Sequence, residues 1–245
     1  MLVALAGLVA GAMNAIAGGG SFVTLPALMG VGAPALHANA TSTVALVPSA
    51  LASAYAYRAQ FAPFAGVSLR AMAAVSIIGG AVGAFALLHT PQKTFDALAP
   101  FLVLIGALAF TFGRAAGETL RRHVHIGPRI LLACQFALGV YGGYFGGAVG
   151  IMMLATWSLM TSADLSTMQA SRNLLNAAMN ITASAIFVVG GLVVWPMMLA
   201  LMLGAVVGGY GAARLAARLD PAKARRIVVA LVWLIALGFF VKTYA

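Results

Sequence analysis

Residues 7–21 read GLVAGAMNAIAGGGS, and residues 139–150 read GVYGGYFGGAVG. Gly7, Gly11 and Gly18 of the first stretch meet Gly139, Gly143 and Gly150 of the second at one constant shift of 132 (139 − 7). Continued without a gap, the same shift sets Ala38, Thr41 and Pro48 on Ala170, Asn173 and Asn180. With a small change of shift, Gly79-Gly80 and Thr90-Pro91 fall on Gly208-Gly209 and Asp220-Pro221. Apolar sequence rich in Ala and Gly self-aligns readily. Here the breaks and polar residues coincide as well as the glycines, so the chain reads as a duplication.

The composition says what is duplicated. The 245 residues are 63% hydrophobic and 7% charged, with a mean hydropathy of +1.04. That leaves too few charges to cover a water-soluble globule and places the chain in a lipid bilayer. A net charge of +10 comes from 14 Lys and Arg against 4 Asp and Glu. The basic residues sit singly or between long apolar runs, without the interleaved aromatics of a nucleic-acid surface, so nucleic-acid binding is excluded. The single Cys134 can form neither an internal disulfide nor a cysteine metal cluster. No nucleotide-binding loop, zinc motif or catalytic triad is present, and neither an enzyme nor a cofactor is expected.

Apolar segments long enough to span a bilayer, about 17–25 residues, fall near 1–17, 38–57, 67–88 and 95–112, then 130–147, 168–189, 195–219 and 222–244. The first has no Lys or Arg and reads as a membrane element, not a cleavable signal. Two shorter pieces, 22–30 and 151–160, look like half-helices or re-entrant elements. The expected fold is an all-α integral membrane protein of two homologous helical repeats. Each repeat has four long transmembrane segments plus one short broken or re-entrant helix. The first repeat is 1–113, a basic cytoplasmic linker 114–129, and the second repeat 130–245. The linker and a second basic turn, 214–226, both belong inside by the Lys/Arg bias. That requires an odd number of crossings per repeat, hence crossing short elements and an inverted pair. If each short element only completes its predecessor, the repeats are parallel instead.

Two clusters carry candidate chemistry. Gly18-Gly19-Gly20-Ser21 cannot extend a helix cheaply and frees backbone N–H groups at the start of the short segment that follows. A helix N-terminus and the Ser21 hydroxyl there would suit a buried anion. In the second half Gln169, Asn173, Asn176 and Asn180 recur at spacings of four, three and four, a polar stripe with Arg172 on its edge. An arginine at membrane depth costs about 2.5–3.5 kcal/mol even on insertion scales, so the stripe must face protein or water. The matching first-half segment supplies Asn39, Thr41, Ser42 and Thr43, then Ser49 and Ser53, for the other wall. His37 is the histidine beside this path and a candidate proton-linked group. By contrast Gly79-x-x-x-Gly83 and Gly204-x-x-x-Gly208 read as tight helix crossings. Asp96, Glu118, Asp164 and Asp220 all fall at breaks or segment ends, which disfavours a cation and favours a small anionic solute.

With these residues in view the chain resembles the sulfite exporter TauE/SafE family of bacterial membrane transporters. The resemblance rests on Gly7-x-x-x-Gly11, Gly18-Gly19-Gly20-Ser21 leading to Pro26, Ala38-Asn39-Ala40-Thr41-Ser42, Gly139-x-x-x-Gly143, the Arg172-Asn173 pair and the 204–215 run. It implies export of a small sulfur-containing or organic anion, of the sulfite or sulfonate class, across the inner membrane of a bacterium. A passive anion channel and a non-transporting membrane scaffold are the competing readings. The oligomeric state, a homo-oligomer included, stays open.

Overall fold

The structure, a computed structural model, describes residues 1–16, 19–63, 66–120, 127–160, 165–215 and 221–244. Gly18 and residues 121–126 of the stretch read as the linker lie outside them. Among the described residues there are ten α-helices. The first five are α1 (Leu2–Ile16), α2 (Ser21–Gly30), α3 (Ala35–Ala56), α4 (Leu69–Leu88) and α5 (Gln92–Leu120). The others are α6 (Pro128–Phe145), α7 (Val149–Met160), α8 (Leu165–Val189), α9 (Trp195–Leu215) and α10 (Pro221–Tyr244). By length and composition, α4, the 92–109 part of α5 and the 195–212 part of α9 are apolar enough to cross a membrane. They show lipid-like surfaces, with Ile78, Phe85, Leu203 and Val207 exposed. The α5 helix runs on to Leu120, so the first turns of the stretch read as linker are helical.

The first and sixth helices do not stand as simple spans. Gly142 of α6 backs onto Val149 at the start of α7, and Trp157, two turns on, donates to Gln135 Oε1 at 3.1 Å. The two helices therefore run side by side in opposite directions, a hairpin. Its turn uses a left-handed backbone at Gly146 (φ 73°) and at Ala148 (φ 60°). Such a conformation costs a non-glycine residue roughly 1–2 kcal/mol. The α1/α2 pair folds back in the same sense, with Gly20 against the Ala10 carbonyl.

Each hairpin is held by a helix of the other half. Gly7 and Gly11 lie on the backbone of Leu201 and Ala205, while Gly204 and Gly208 lie on Ala4 and Leu8. The α1/α9 crossing is thus parallel, with four glycines in reciprocal contact. The α4/α6 crossing repeats it: Gly79 meets Phe136, Gly83 meets Val140, and Gly139 and Gly143 meet Ser76 and Gly80. These contacts carry α1 onto α6 at a shift of 132 (139 − 7) and α4 onto α9 at a shift of 125 (204 − 79). The first is the register read from sequence. The second differs from the shift of 129 (208 − 79) at which the sequence alignment sets Gly79-Gly80 on Gly208-Gly209.

Contacts also fix directions. Phe101 meets Phe240 and Thr111 accepts from Trp233 Nε1 at 2.9 Å, so α5 and α10 are antiparallel. Tyr144 at the end of α6 reaches Thr90, and Val194, between α8 and α9, donates to Thr41 near the start of α3. The starts of α3, α5 and α9 and the ends of α4, α6 and α8 therefore share one end of the bundle, here the Thr90 end. Lys93 and Lys242 belong to that end. Arg58, Arg70, Arg114, Arg129, Arg214, Lys223, Arg225 and Arg226 belong to the opposite, basic end.

A Cβ at Gly83 or Gly208 would overlap the carbonyl oxygen of Val140 or Leu8, whereas one at Gly238 meets nothing within 4 Å. Gly83→Ala and Gly208→Ala are expected each to cost about 1–3 kcal/mol. Gly238→Ala should be neutral or stabilising by about 0.5–1 kcal/mol. Thermal unfolding of the three variants in detergent checks the order.

Candidate functional site

The two hairpin turns meet inside the bundle. A Cβ on Gly106 of α5 would sit 2.7 Å from the Phe22 ring and 2.8 Å from the Ala148 methyl, so the starts of α2 and α7 flank the same point of α5. Gly19 reaches Ile151 across the gap. Beneath these turns lies a cavity of about 40 Å³. One water needs roughly 10–15 Å³ by that measure, so the space holds a few waters or one small solute.

Its walls come from four elements. The hairpin turns contribute Gly19, Ser21, Gly146, Ala148, Val149 and Gly150, and α1 contributes Asn14. The third wall is Thr43, Ser49 and Ser53 of α3, and the fourth is Arg172, Asn173, Asn176 and Asn180 of α8. The α8 sequence makes this wall by periodicity. Arg172, Asn173, Asn176 and Asn180 fall within about 100° of the helix circumference, and the same arc carries the buried apolar Ala183 and Phe187 further along.

Arg172 is 4% exposed, and its side chain passes beside Gly150, where a Cβ would come within 3.1 Å of Cδ. Asn173 Oδ1 accepts from its Nε at 3.2 Å and from its Nη2 at 2.8 Å. The carboxamide thereby fixes the plane of the guanidinium, and glycine at 150 leaves room for its stem. Among the described residues no carboxylate lines the cavity. The starts of α2 and α7 carry partial positive charge, although the Phe22, Val23, Ile151 and Met152 N–H groups already donate to the Gly19, Gly20 and Ala148 carbonyls. The cavity is therefore polar and electropositive, with donors from backbone, amide and guanidinium. Such a donor set has the sign and geometry to hold an anion.

A second hollow, about 480 Å³, lies at the Thr90 end and includes Met29, Gln92, Asp96 and Phe239 among its walls. Gln92 Nε2 donates to Asp96 Oδ1 there at 2.7 Å. A carboxylate gives it the wrong sign for the same solute.

The sequence-based candidates divide clearly. Gly19, Ser21, Arg172, Asn173, Asn176 and Asn180 line the cavity, as do Thr43, Ser49 and Ser53. Gly20 does not; it is buried at the α2 cap, where its N–H donates to Asn14 Oδ1 at 2.8 Å. Asn39, Thr41 and Ser42 also lie outside it. Asn39 Nδ2 donates to the Tyr144 carbonyl at 2.9 Å, one turn beyond Thr43. Thr41 Oγ1 accepts from Val194 N at 3.0 Å, and the Ser42 hydroxyl pairs with Thr24. These three face neighbouring helices and tie α3 to them. His37 is half-buried and does not border the cavity.

The chain matches the family described as Sulfite exporter TauE/SafE over residues 3–239. It belongs to the TauE/SafE family. It is 28% identical to the probable membrane transporter protein YfcA of Escherichia coli (strain K12), over 90% of this chain and 80% of that protein. A probable membrane transporter protein of Haemophilus influenzae is 30% identical over 91% of this chain and 85% of its own length. A third, ORF9 of Sinorhizobium sp, is 27% identical over 98% and 90%. No solved structure matches the chain. As a TauE/SafE protein it is a membrane transporter and not an enzyme.

Sequence reasoning missed Asn14 and the second turn at Gly146 and Ala148. Asn14 had a readable signal, since it is the one polar side chain in α1. In this TauE/SafE chain its carbonyl oxygen satisfies a helix-start N–H that no backbone group reaches. Asn14→Ala is expected to cost about 0.5–1.5 kcal/mol by orphaning the Gly20 N–H. Asn14→Asp keeps an acceptor and should retain most of that stability. Paired thermal melts of the two variants separate the hydrogen bond from the loss of side-chain volume.

Proposed function

We propose that this TauE/SafE protein is a secondary carrier, multi-pass in the inner membrane of a bacterium, exporting a small sulfur-containing or organic anion of the sulfite or sulfonate class. One observation carries the reading: a buried arginine, held by Asn173, faces a small polar cavity that two helix N-termini also address. An oxyanion accepts from all three kinds of donor, and it offsets the cost of a guanidinium that lies 4% exposed inside an apolar bundle. Small size, absence of aromatic walls and absence of carboxylates among the described lining fit a compact oxyanion. The family description supplies the sulfur chemistry. Efflux needs no nucleotide, since an inside-negative potential drives a monoanion outward by about 2.3 kcal/mol per 100 mV.

The two halves act as an inverted pair in this reading. Antiparallel α5 and α10, which hold the same place in each half, support it, as do the matched α1/α9 and α6/α4 crossings. Each hairpin enters and leaves at one end, so α3, α4 and α5 supply three crossings per half. That odd number puts both basic connections on the cytoplasmic side. The short elements need not cross, as the sequence argument required, because α2 and α7 fold back along their predecessors.

Reconstituted protein should release sulfite from loaded liposomes with saturation. Arg172→Ala is expected to lower that flux at least tenfold with the thermal melt and gel-filtration profile preserved, and Arg172→Lys to retain an intermediate rate because charge survives without the planar fork. Undiminished efflux by Arg172→Ala would remove the arginine from the mechanism.

A further inference from the structure

The polar stripe of α8 does not stop where the cavity stops. Arg172, Asn176, Asn180 and Ser184 follow one another at intervals of four, each interval one turn plus about 40°, so the series winds about 120° round the helix. The last of them lies about 18 Å along the helix from Arg172, on the side of the Thr90 end. Asn180 is 6% exposed and Ser184 is 8% exposed, and neither Asn180 Oδ1 nor Ser184 Oγ has a hydrogen-bond partner. Ser76 and Thr182 satisfy themselves on their own helix, donating to Met72 O at 2.7 Å and to Ala178 O at 3.1 Å, whereas the wholly buried Ser171 Oγ of α8 is left unpartnered like Ser184 Oγ. A buried polar group left without a partner costs about 1–3 kcal/mol. In a carrier such a cost is recovered in the conformation that brings solute and water to the group.

Side chains of α3 close the structure around that turn. The cavity extends along α3 from Thr43 toward Ser53, which is toward the basic end. On the other side of Thr43, three α3 side chains are committed to neighbours: Asn39 to the end of α6, Thr41 to the start of α9 and Ser42 to α2. Ala183 and Phe187, flanking Ser184, pack in one apolar core with Ala38 and Ala40 of α3. Thr43 and Asn180 border the cavity together; one turn further on, Asn39 of α3 and Ser184 of α8 come next along the two antiparallel helices, and Asn39 is already bonded to the Tyr144 carbonyl.

We propose that the solute path continues beyond the cavity along α8 through the Asn180 carboxamide and the Ser184 hydroxyl, and that the hydrogen bonds of Asn39, Thr41 and Ser42 seal this outward half in the present conformation. The conformation is then the one open toward the basic end. Ser184 donates to an oxygen of a passing hydrated oxyanion and Asn180 Oδ1 accepts from its water. Asn39, Thr41 and Ser42, read from sequence as ligands, form the outer gate, while Thr43, Ser49 and Ser53 line the cavity. This rests on the carrier reading above, but its test needs no solute, so the two fail separately.

The test uses right-side-out and inside-out membrane vesicles, a Cys134→Ala background and the impermeant thiol reagent MTSET. Ser53→Cys should react from the inside-out face only. Ser184→Cys should resist the reagent from both faces. Adding Thr41→Val with Asn39→Ala, which removes two bonds of the seal, should speed labelling of Ser184→Cys at least tenfold in right-side-out vesicles. Thr41→Val alone, closer to isosteric, should give the same direction with a smaller change. Labelling of Ser184→Cys from the inside-out face with the seal intact overturns the proposal. So does unchanged protection in both seal variants while Ser53→Cys still reacts.

Discussion

A backbone that breaks its helix inside a bilayer must find partners for the N–H and C=O groups it exposes, and lipid supplies none. This constraint governs the molecule. The turns around Gly19 and Gly146–Ala148 stand at membrane depth because each is enclosed by other helices, and because Asn14 accepts from the Gly20 N–H. Enclosure then brings the two turns together at Gly106, and the space between them cannot be apolar, since helix N-termini point into it. Arg172 and the amides of α8 are tolerated there for the same reason. An apolar bundle accepts a guanidinium only where polar groups already surround it. The cavity is thus a consequence of how the backbone was broken, and its positive character follows from which ends of the short helices face inward.

Much of this was legible in the chain. The α8 wall was readable because amides at spacings of three and four in a membrane segment have one physical reading, a polar face turned from lipid. The hairpins were half readable. Glycine triplets announce a break, but nothing local says whether the chain goes on across or turns back; that depends on Gln135, Ser76 and Trp157 meeting across three helices. The α3 residues were misplaced for a related reason. Asn39, Thr41 and Ser42 are polar in the right register, and only the neighbours that the tertiary packing brings, Tyr144, Val194 and Thr24, reveal that their hydrogen bonds are already used. A sequence shows that a polar group in a membrane needs a partner without showing whether the partner is protein or solute.

The distribution of strong and weak contacts indicates where such a molecule can move. The α1/α9 and α4/α6 crossings bring backbone against backbone over two or more turns, with glycines on both sides. No side chain can rotate to loosen them, and any slip drives a carbonyl into a neighbouring helix, so each pair behaves as one body. Around the outer half of the path the links are of another kind. Asn39 to Tyr144 and Thr41 to Val194 are single hydrogen bonds, each worth about 0.5–1.5 kcal/mol net. They can exchange for water or solute with little change in free energy. Since α1 and α9 come from different halves, as do α4 and α6, the stiff units each contain a part of both halves. On the carrier reading, rearrangement falls between the locked pairs, along α3 and α8. A chain divided at its linker into two independent lobes would put its soft surface at the linker; interleaving the halves moves that surface to α3 and α8, beside the polar cavity.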